Sequence, residues 1–477
     1  MEWGKGTYSL SPPFLFTMKK IILFVLCSIS AVQLFADGWQ GQQGSRRFFL
    51  KTDYTVEGTT MTVPEYWIEQ APCDSLSLSG DSLFLRFNNG QLVMKGCLIS
   101  SPSPRIKASV TLYQKEYRMD FVKADTLQPH YWPQNPVPPY PYVEEEIAVP
   151  VNDSIVLSGT LTRPRTRRRV PAVIILSGTG KQDRDASFTG HRPFARIADY
   201  LTRRGMAVLR LDDRGVGKST GRYEEATTAD FASDALRAVA VLKQNRHIRS
   251  SKIGLMGHSE GGAAAMMAAA ASDDVAFVVS LAGLMTDGLT SLVLQNDAII
   301  DSYPGYSDEW RQTNKDFLRL LFRWVYEIPL SQSLAEPLRE RFMEWTSMQN
   351  DTVLQMTGLK DREEMYLARY LRTADTQWYR RLMHYDPAEY IPRVHVPVLL
   401  LNGDCDILVP AEPNLSTADS LLHVGGNTRF EKVILPGLNH MFQHCETCRQ
   451  EEIPDLSDVF AEEALEEIYR FLKQYVL

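Results

Sequence analysis

One serine carries the strongest chemical signal in this 477-residue sequence: it lies in Gly257-His258-Ser259-Glu260-Gly261-Gly262. An apolar run at 252–256 precedes the motif and an Ala- and Met-rich segment at 261–271 follows it. That order reads as strand, sharp turn, helix. In such a setting the serine of a G-x-S-x-G motif sits on a strained turn, a nucleophile elbow, with its hydroxyl projecting from the sheet. Gly257 and Gly261 are required because side chains two positions either side of the serine would strike neighbouring backbone. His258 should point away from the hydroxyl and pack within the elbow. The helix beginning just after Ser259 favours developing negative charge at its N-terminus.

A serine needs a base, and the base needs an acid that fixes its tautomer. Of the nine histidines, the best placed is His440 in Pro436-Gly437-Leu438-Asn439-His440, a loop after a late apolar strand. His444, one helical turn beyond, is the fallback. After the apolar run 398–401 comes Asn402-Gly403-Asp404-Cys405-Asp406, which puts two aspartates at a strand end. Asp406 fits better than Asp404, because Gly-x-x-Asp followed by Val409-Pro410 aligns on it. Two backbone amides should hold the oxyanion of an acyl-transfer intermediate. One is that of Glu260, directly after the serine. The other is assigned to Thr179 in Ser177-Gly178-Thr179-Gly180, a loop whose glycines let amides turn inward. This chemistry requires no metal and no organic cofactor.

Other patterns point elsewhere and fail. Gly217-Lys218-Ser219 is not a phosphate loop, since Asp212 stands where that motif needs glycine, and Thr220 breaks a dinucleotide fingerprint. The stretch 212–219 reads instead as a tight turn near the oxyanion loop. The arginines at 163, 165, 167, 168 and 169 solvate a connecting segment. A formal charge of −7 leaves no cationic excess to displace counterions, which argues against nucleic acid as a partner.

The elements that must position these residues follow from hydrophobic periodicity. Continuous apolar strands are expected at 172–176, 207–211, 253–256, 277–281, 396–401 and 431–435, alternating with amphipathic helices at 193–204, 228–244, 261–271, 412–422 and 458–474. Strands of that kind with helical crossovers mean an α/β fold, a mostly parallel sheet covered on both faces. Two further strands, 145–150 and 155–161, lead into it. From about 285 to 390 the strand signal vanishes and Trp, Tyr, Arg and Leu recur at helical spacing, a helical cap inserted over the strand ends. Short alternating segments with turn residues between them mark 38–132 as a small antiparallel all-β domain, and Pro- and Tyr-rich 133–143 as a linker to a catalytic domain at 144–477.

Met18-Lys19-Lys20, an apolar run to Phe35 and the small residue Ala36 read as a secretory signal peptide over 1–36, with 1–17 open to reading as a mis-assigned extension. Its removal would leave a chain of about −9, exported to a periplasmic or extracellular space and with no stable membrane span. In an oxidising compartment Cys73 could pair with Cys97, and Cys445 with Cys448.

Taken together, Leu176-Ser177-Gly178-Thr179-Gly180, Gln182-Asp183-Arg184-Asp185, Asp213 to Ser219, the serine motif and Pro436 to His440 resemble exported bacterial α/β-hydrolases. These are the serine aminopeptidase-like and dienelactone hydrolase-like carboxylesterases, some with a small N-terminal β domain. The resemblance spans about 145–475. It implies the α/β-hydrolase fold, a triad of Ser259, Asp406 and His440, oxyanion donors at Thr179 and Glu260, and hydrolysis of small-molecule esters with short acyl chains; cleavage of peptides or aminoacyl amides by the same triad is the alternative, and a binding protein on the same scaffold a third reading. An acetylated carbohydrate would suit an exported enzyme with an aromatic-rich cap. Asp404-Cys405 departs from the Glu-Lys common in relatives and leaves the choice of acid open.

Overall fold

The computed structural model describes residues 37–44, 46–66, 68–112, 115–128 and 132–477, so the leader expected at 1–36 lies outside the described residues. The described residues divide into two compact units, one of 37–43 with 47–128, the other of 132–477 with 44 and 46.

In the first unit, eight strands with alternating inward and outward residues close into an antiparallel barrel. They are β1 (Asp37–Gln43), β2 (Arg46–Thr52), β3 (Thr60–Val63), β4 (Ile68–Ser79), β5 (Ser82–Phe87), β6 (Leu92–Ile99), β7 (Arg105–Leu112) and β8 (Lys115–Lys123). β1 pairs with β8, so closure removes free edges and puts Phe48, Leu85, Phe87, Val110 and Phe121 inside. The barrel corrects one expectation. Cys73 and Cys97 are both unbridged. β5 lies between their strands, with Cys73 opposite Phe87 at one end of it and Cys97 opposite Ser82 at the other.

The second unit holds an eight-stranded mixed sheet. Its strands are β9 (Tyr142–Pro150), β10 (Val156–Pro164), β11 (Val170–Leu176), β12 (Ala207–Leu211), β13 (Ile248–His258), β14 (Val278–Leu281), β15 (Val398–Gly403) and β16 (Phe430–Leu435). β9 already begins at Tyr142, so the last two residues of the expected linker are strand. The order is β16-β15-β14-β13-β11-β12-β10-β9; β10 is antiparallel to both of its neighbours, β9 and β12, and the remaining pairs are parallel. β11 is buried throughout, because its alternate residues feed two cores: Ala172, Ile174 and Leu176 one, Val173 and Ile175 the other. Helices α1 (Pro193–Arg203), α2 (Thr228–Gln244) and α3 (Glu260–Ala271) follow β11, β12 and β13. Apolar residues of α2 and α3 join the first core, those of α1 the second.

Between β14 and β15 the chain leaves the sheet for six helices: α4 (Gly288–Ser302), α5 (Asp308–Glu327), α6 (Ala335–Met348), α7 (Asp351–Met356), α8 (Glu363–Ala374) and α9 (Gln377–Met383). They enclose a core of their own around Phe317, Leu321, Phe342 and Leu367. Two more helices complete the wrapping, α10 (Ala411–Val424) on the face of α2 and α3 and α11 (Glu462–Tyr475) on the face of α1. Cys445 and Cys448 form a disulfide, and the sulfur of Cys405 lies with theirs in a group whose atoms are within 4.8 Å of one another. Among the described residues no helix is long and apolar enough to cross a membrane.

β11 has β12 on one side and β13 on the other, so the strand order reverses there. In open α/β sheets the crevice beyond the carboxyl ends of the strands at such a point takes the ligand. The loop after β11 and the turn after β13 both open onto it.

Candidate active site

The turn after β13 is as tight as its sequence demands. Ser259 sits at φ 55°, ψ −123°, a conformation that costs an ordinary residue on the order of 1–3 kcal/mol. A Cβ on Gly257 would lie 1.9 Å from the Gly261 carbonyl oxygen, and one on Gly261 would lie 2.4 Å from that of Ser177. Both glycines are therefore dictated by close backbone approach. The Ser259 amide donates to Leu281 at 2.9 Å and its carbonyl accepts from Gly262 at 2.9 Å, which ties the turn to β14 and to the first turn of α3.

His440 and Asp406 meet. Nδ1 of His440 donates to Oδ2 of Asp406 at 2.8 Å, and the Asp406 side chain is fully buried. The other carboxylate oxygen accepts from the amides of Leu408 and Val409, each at 2.8 Å. The aspartate is thus held on both oxygens, and the proton on Nδ1 leaves Nε2 of the imidazole as an acceptor. Asp404 faces elsewhere and accepts from the Gly437 amide at 2.6 Å. His444 is exposed and committed to Asp458 and Glu463 at 2.6 and 2.8 Å, which holds its pKa above the ordinary histidine value. Both of its ring nitrogens are thus taken by carboxylates other than Asp406.

His258 does more than fill space. It is buried, its ring centroid lies 4.7 Å from that of His440, and its Nε2–H donates to the His440 backbone carbonyl at 2.9 Å. Burial, and then the neighbouring imidazole, push its pKa down to about 3, so it stays neutral. The residue preceding the serine therefore ties the elbow to the loop that carries His440. Sequence reasoning assigned it packing alone; its position beside the serine was the available signal.

On the other side, the loop after β11 comes close to the elbow: a Cβ on Gly178 would stand 3.0 Å from Cβ of Ser259. The Gly180 amide donates to the Tyr223 hydroxyl at 2.7 Å. Asp213 accepts from the Ser177 hydroxyl and, at 2.8 Å, from the Gln182 amide, bracketing the loop that contains Thr179. Arg184 pairs with Asp212, and Arg214 with Asp234 through two bonds of 2.8 Å, so the 212–214 turn is pinned on both flanks. Glu260, 1% exposed, begins α3, where the first amides have no partner within the helix.

A model of the alpha/beta hydrolase fold matches residues 171–443, more than half of the chain. This chain belongs to that family. A 117-residue stretch is 31% identical to Esterase EstD of Thermotoga maritima and covers 24% of this chain and 27% of that protein, so the match spans about a quarter of the relative's length. Two solved structures are more distant in sequence. The alpha/beta hydrolase GrgF from Penicillium sp. sh18 is 19% identical, with 70% of this chain and 99% of that one covered at a TM-score of 0.41. Est1E from Butyrivibrio proteoclasticus, solved with ferulic acid bound, is 19% identical, with 69% and 99% covered at 0.41.

Two outcomes test these contacts. His258→Phe keeps a ring and removes the donor to His440. It should lower unfolding free energy by about 1–3 kcal/mol and also reduce turnover; unchanged urea melts and unchanged turnover would show that the bond restrains nothing. Burial pushes the Asp213 carboxyl up to about 7. The folded chain then keeps a proton that the unfolded chain loses above about pH 4, so stability should fall as pH rises from about 4 to 7, at ~1.4 kcal/mol per unit of pKa difference. Asp213→Asn should flatten that slope in urea unfolding measured across the range. An identical slope in both proteins would assign the pH dependence to other groups.

Proposed function

We propose that this chain is a serine hydrolase that cleaves carboxylic esters of short acyl chains through an acyl-enzyme. Ser259 is the nucleophile, His440 the base and Asp406 the acid that orients it. The observation that carries this reading is the buried Asp406–His440 bond at 2.8 Å, on a loop that the residue before the strained serine holds in place. The esterase named for the partial relative supports ester rather than other acyl substrates.

In the first half-reaction His440 Nε2 takes the proton from Ser259 as the hydroxyl oxygen attacks the ester carbonyl. The imidazolium is stabilised by Asp406, and the oxyanion is held by the amides of Glu260 and Thr179. His440 then returns the proton to the departing alcohol. Water, deprotonated by the same imidazole, attacks the acyl-enzyme and releases the acid. An acetylated carbohydrate suits the aromatic residues of the α4–α9 insertion, which acts as the cap. The leader at 1–36 supports export to a periplasmic or extracellular space, where such esters are met.

Ser259→Ala should lose on the order of 10⁶-fold in kcat toward a short aryl ester and all labelling by a fluorophosphonate. Near-native hydrolysis by that variant would overturn the assignment. A panel of acyl lengths should place the highest kcat/KM at acetyl to butyryl.

A further inference from the structure

Glu260 contributes an amide to the proposed oxyanion site, but its side chain is not spent on solvent. The carboxylate is buried, and among the described residues it forms no ion pair with a lysine, arginine or histidine. Three neutral donors meet it instead, from three different parts of the fold. The Thr179 hydroxyl, on the loop after β11, donates to Oε2 at 2.8 Å. The Thr228 hydroxyl, at the start of α2, donates to Oε1 at 2.6 Å. The indole Nε1–H of Trp378, on cap helix α9, spans both oxygens at 2.9 and 3.2 Å. An indole nitrogen only donates, so the carboxylate is the acceptor there.

A buried carboxylate without a cation depends on all of its donors, because each one lost leaves charge uncompensated in a low-dielectric setting. The three partners are therefore linked through one group. If α9 lifts, Glu260 loses its indole donor and must recruit water or draw Thr179 and Thr228 into a new arrangement. Thr179 also carries the amide assigned to the oxyanion. A shift of the loop backbone that follows its hydroxyl moves that amide relative to the one on Glu260 itself.

We propose that the Glu260 carboxylate is a positioning residue that couples the seating of cap helix α9, through Trp378, to the geometry of the two oxyanion amides, through Thr179. The proposal rests on the ester-hydrolase reading above. It makes Trp378 and Thr179 sensitive positions although neither hydroxyl nor indole touches the reacting atoms. By linkage, a ligand that holds the cap down also steadies the oxyanion site.

The test uses the full chain and a short aryl ester, with four variants: Thr179→Val, Thr179→Ser, Trp378→Phe and Glu260→Gln. Valine matches threonine in shape and removes the donor; serine keeps the donor and removes the methyl. Loss of a complete oxyanion donor costs about 10²–10³ in kcat, so displacement of one should cost about tenfold. Thr179→Val and Trp378→Phe should each lower kcat by that factor with KM within about twofold, Glu260→Gln at least as much, and Thr179→Ser, which keeps the donor, should lose clearly less than Thr179→Val. Affinity for phenylboronic acid, which presents a tetrahedral adduct to the oxyanion site, should fall in step with kcat. In the Glu260→Gln background, adding Thr179→Val or Trp378→Phe should cost little more, since the shared acceptor is already impaired.

Wild-type kcat in Thr179→Val and Trp378→Phe, or a fall in Thr179→Ser as deep as in Thr179→Val, overturns the coupling. So does full multiplication of the single effects in the double variants. Wild-type turnover that survives Ser259→Ala would instead remove the ester-hydrolase reading and the coupling with it, so the two failures are told apart by the serine variant.

Discussion

A hydroxyl stands out from the edge of a parallel sheet only where the backbone turns more sharply than ordinary side chains permit. Ser259 does so, and the turn closes because Gly257 and Gly261 bring bare α-carbons against carbonyl oxygens that a methyl group would overlap. The same tightness drives the two residues beside the serine inward. His258 and Glu260 are both buried, and both carry polar groups that must be satisfied there. Each solves that requirement by reaching a different partner loop. His258 takes the backbone of the loop that carries His440, and Glu260 takes Thr179, Thr228 and the cap. The strained turn is thus the point from which the His440 loop, the loop after β11 and helix α9 are all braced.

The electrostatics around it follow one rule, that buried charge is matched locally. Asp406 is satisfied by two amides and an imidazole, Asp212 by Arg184 and Asp234 by Arg214. Asp213, like Glu260, accepts from no cation among the described residues; its partners are a hydroxyl and an amide, and desolvation outweighs both bonds, so its carboxyl titrates high. Asp212 and Asp213 follow β12 and Asp406 follows β15, strand ends on the same edge of the sheet, while Asp234 reaches Arg214 from within α2.

Much of the architecture could be read from periodicity. Continuous apolar runs marked the inner parallel strands because both faces of each are covered, and the helix expected at 228–244 from its amphipathic period runs Thr228–Gln244, opened by a Thr227–Asp230 capping box that the periodicity did not use. Barrel closure was not legible. Alternation identifies a strand with one buried face, and it is silent on whether the first strand meets the last. The Cys73–Cys97 pairing failed for the same reason, since proximity in sequence says nothing of the strand that intervenes between them.

The sequence by itself determined the local geometry that short range controls: the elbow, its glycines, the strand and helix repeats, and the order of serine, aspartate and histidine along the chain. Only the tertiary structure decided which of two aspartates and which of two histidines face each other. That choice turns on a 2.8 Å contact between loops 34 residues apart. It also decided that His258 and the Glu260 carboxylate serve as braces, because their partners lie 182 and 118 residues away in His440 and Trp378. Bonds at such separations leave no periodic trace in sequence and form only when the sheet has brought its strand ends together.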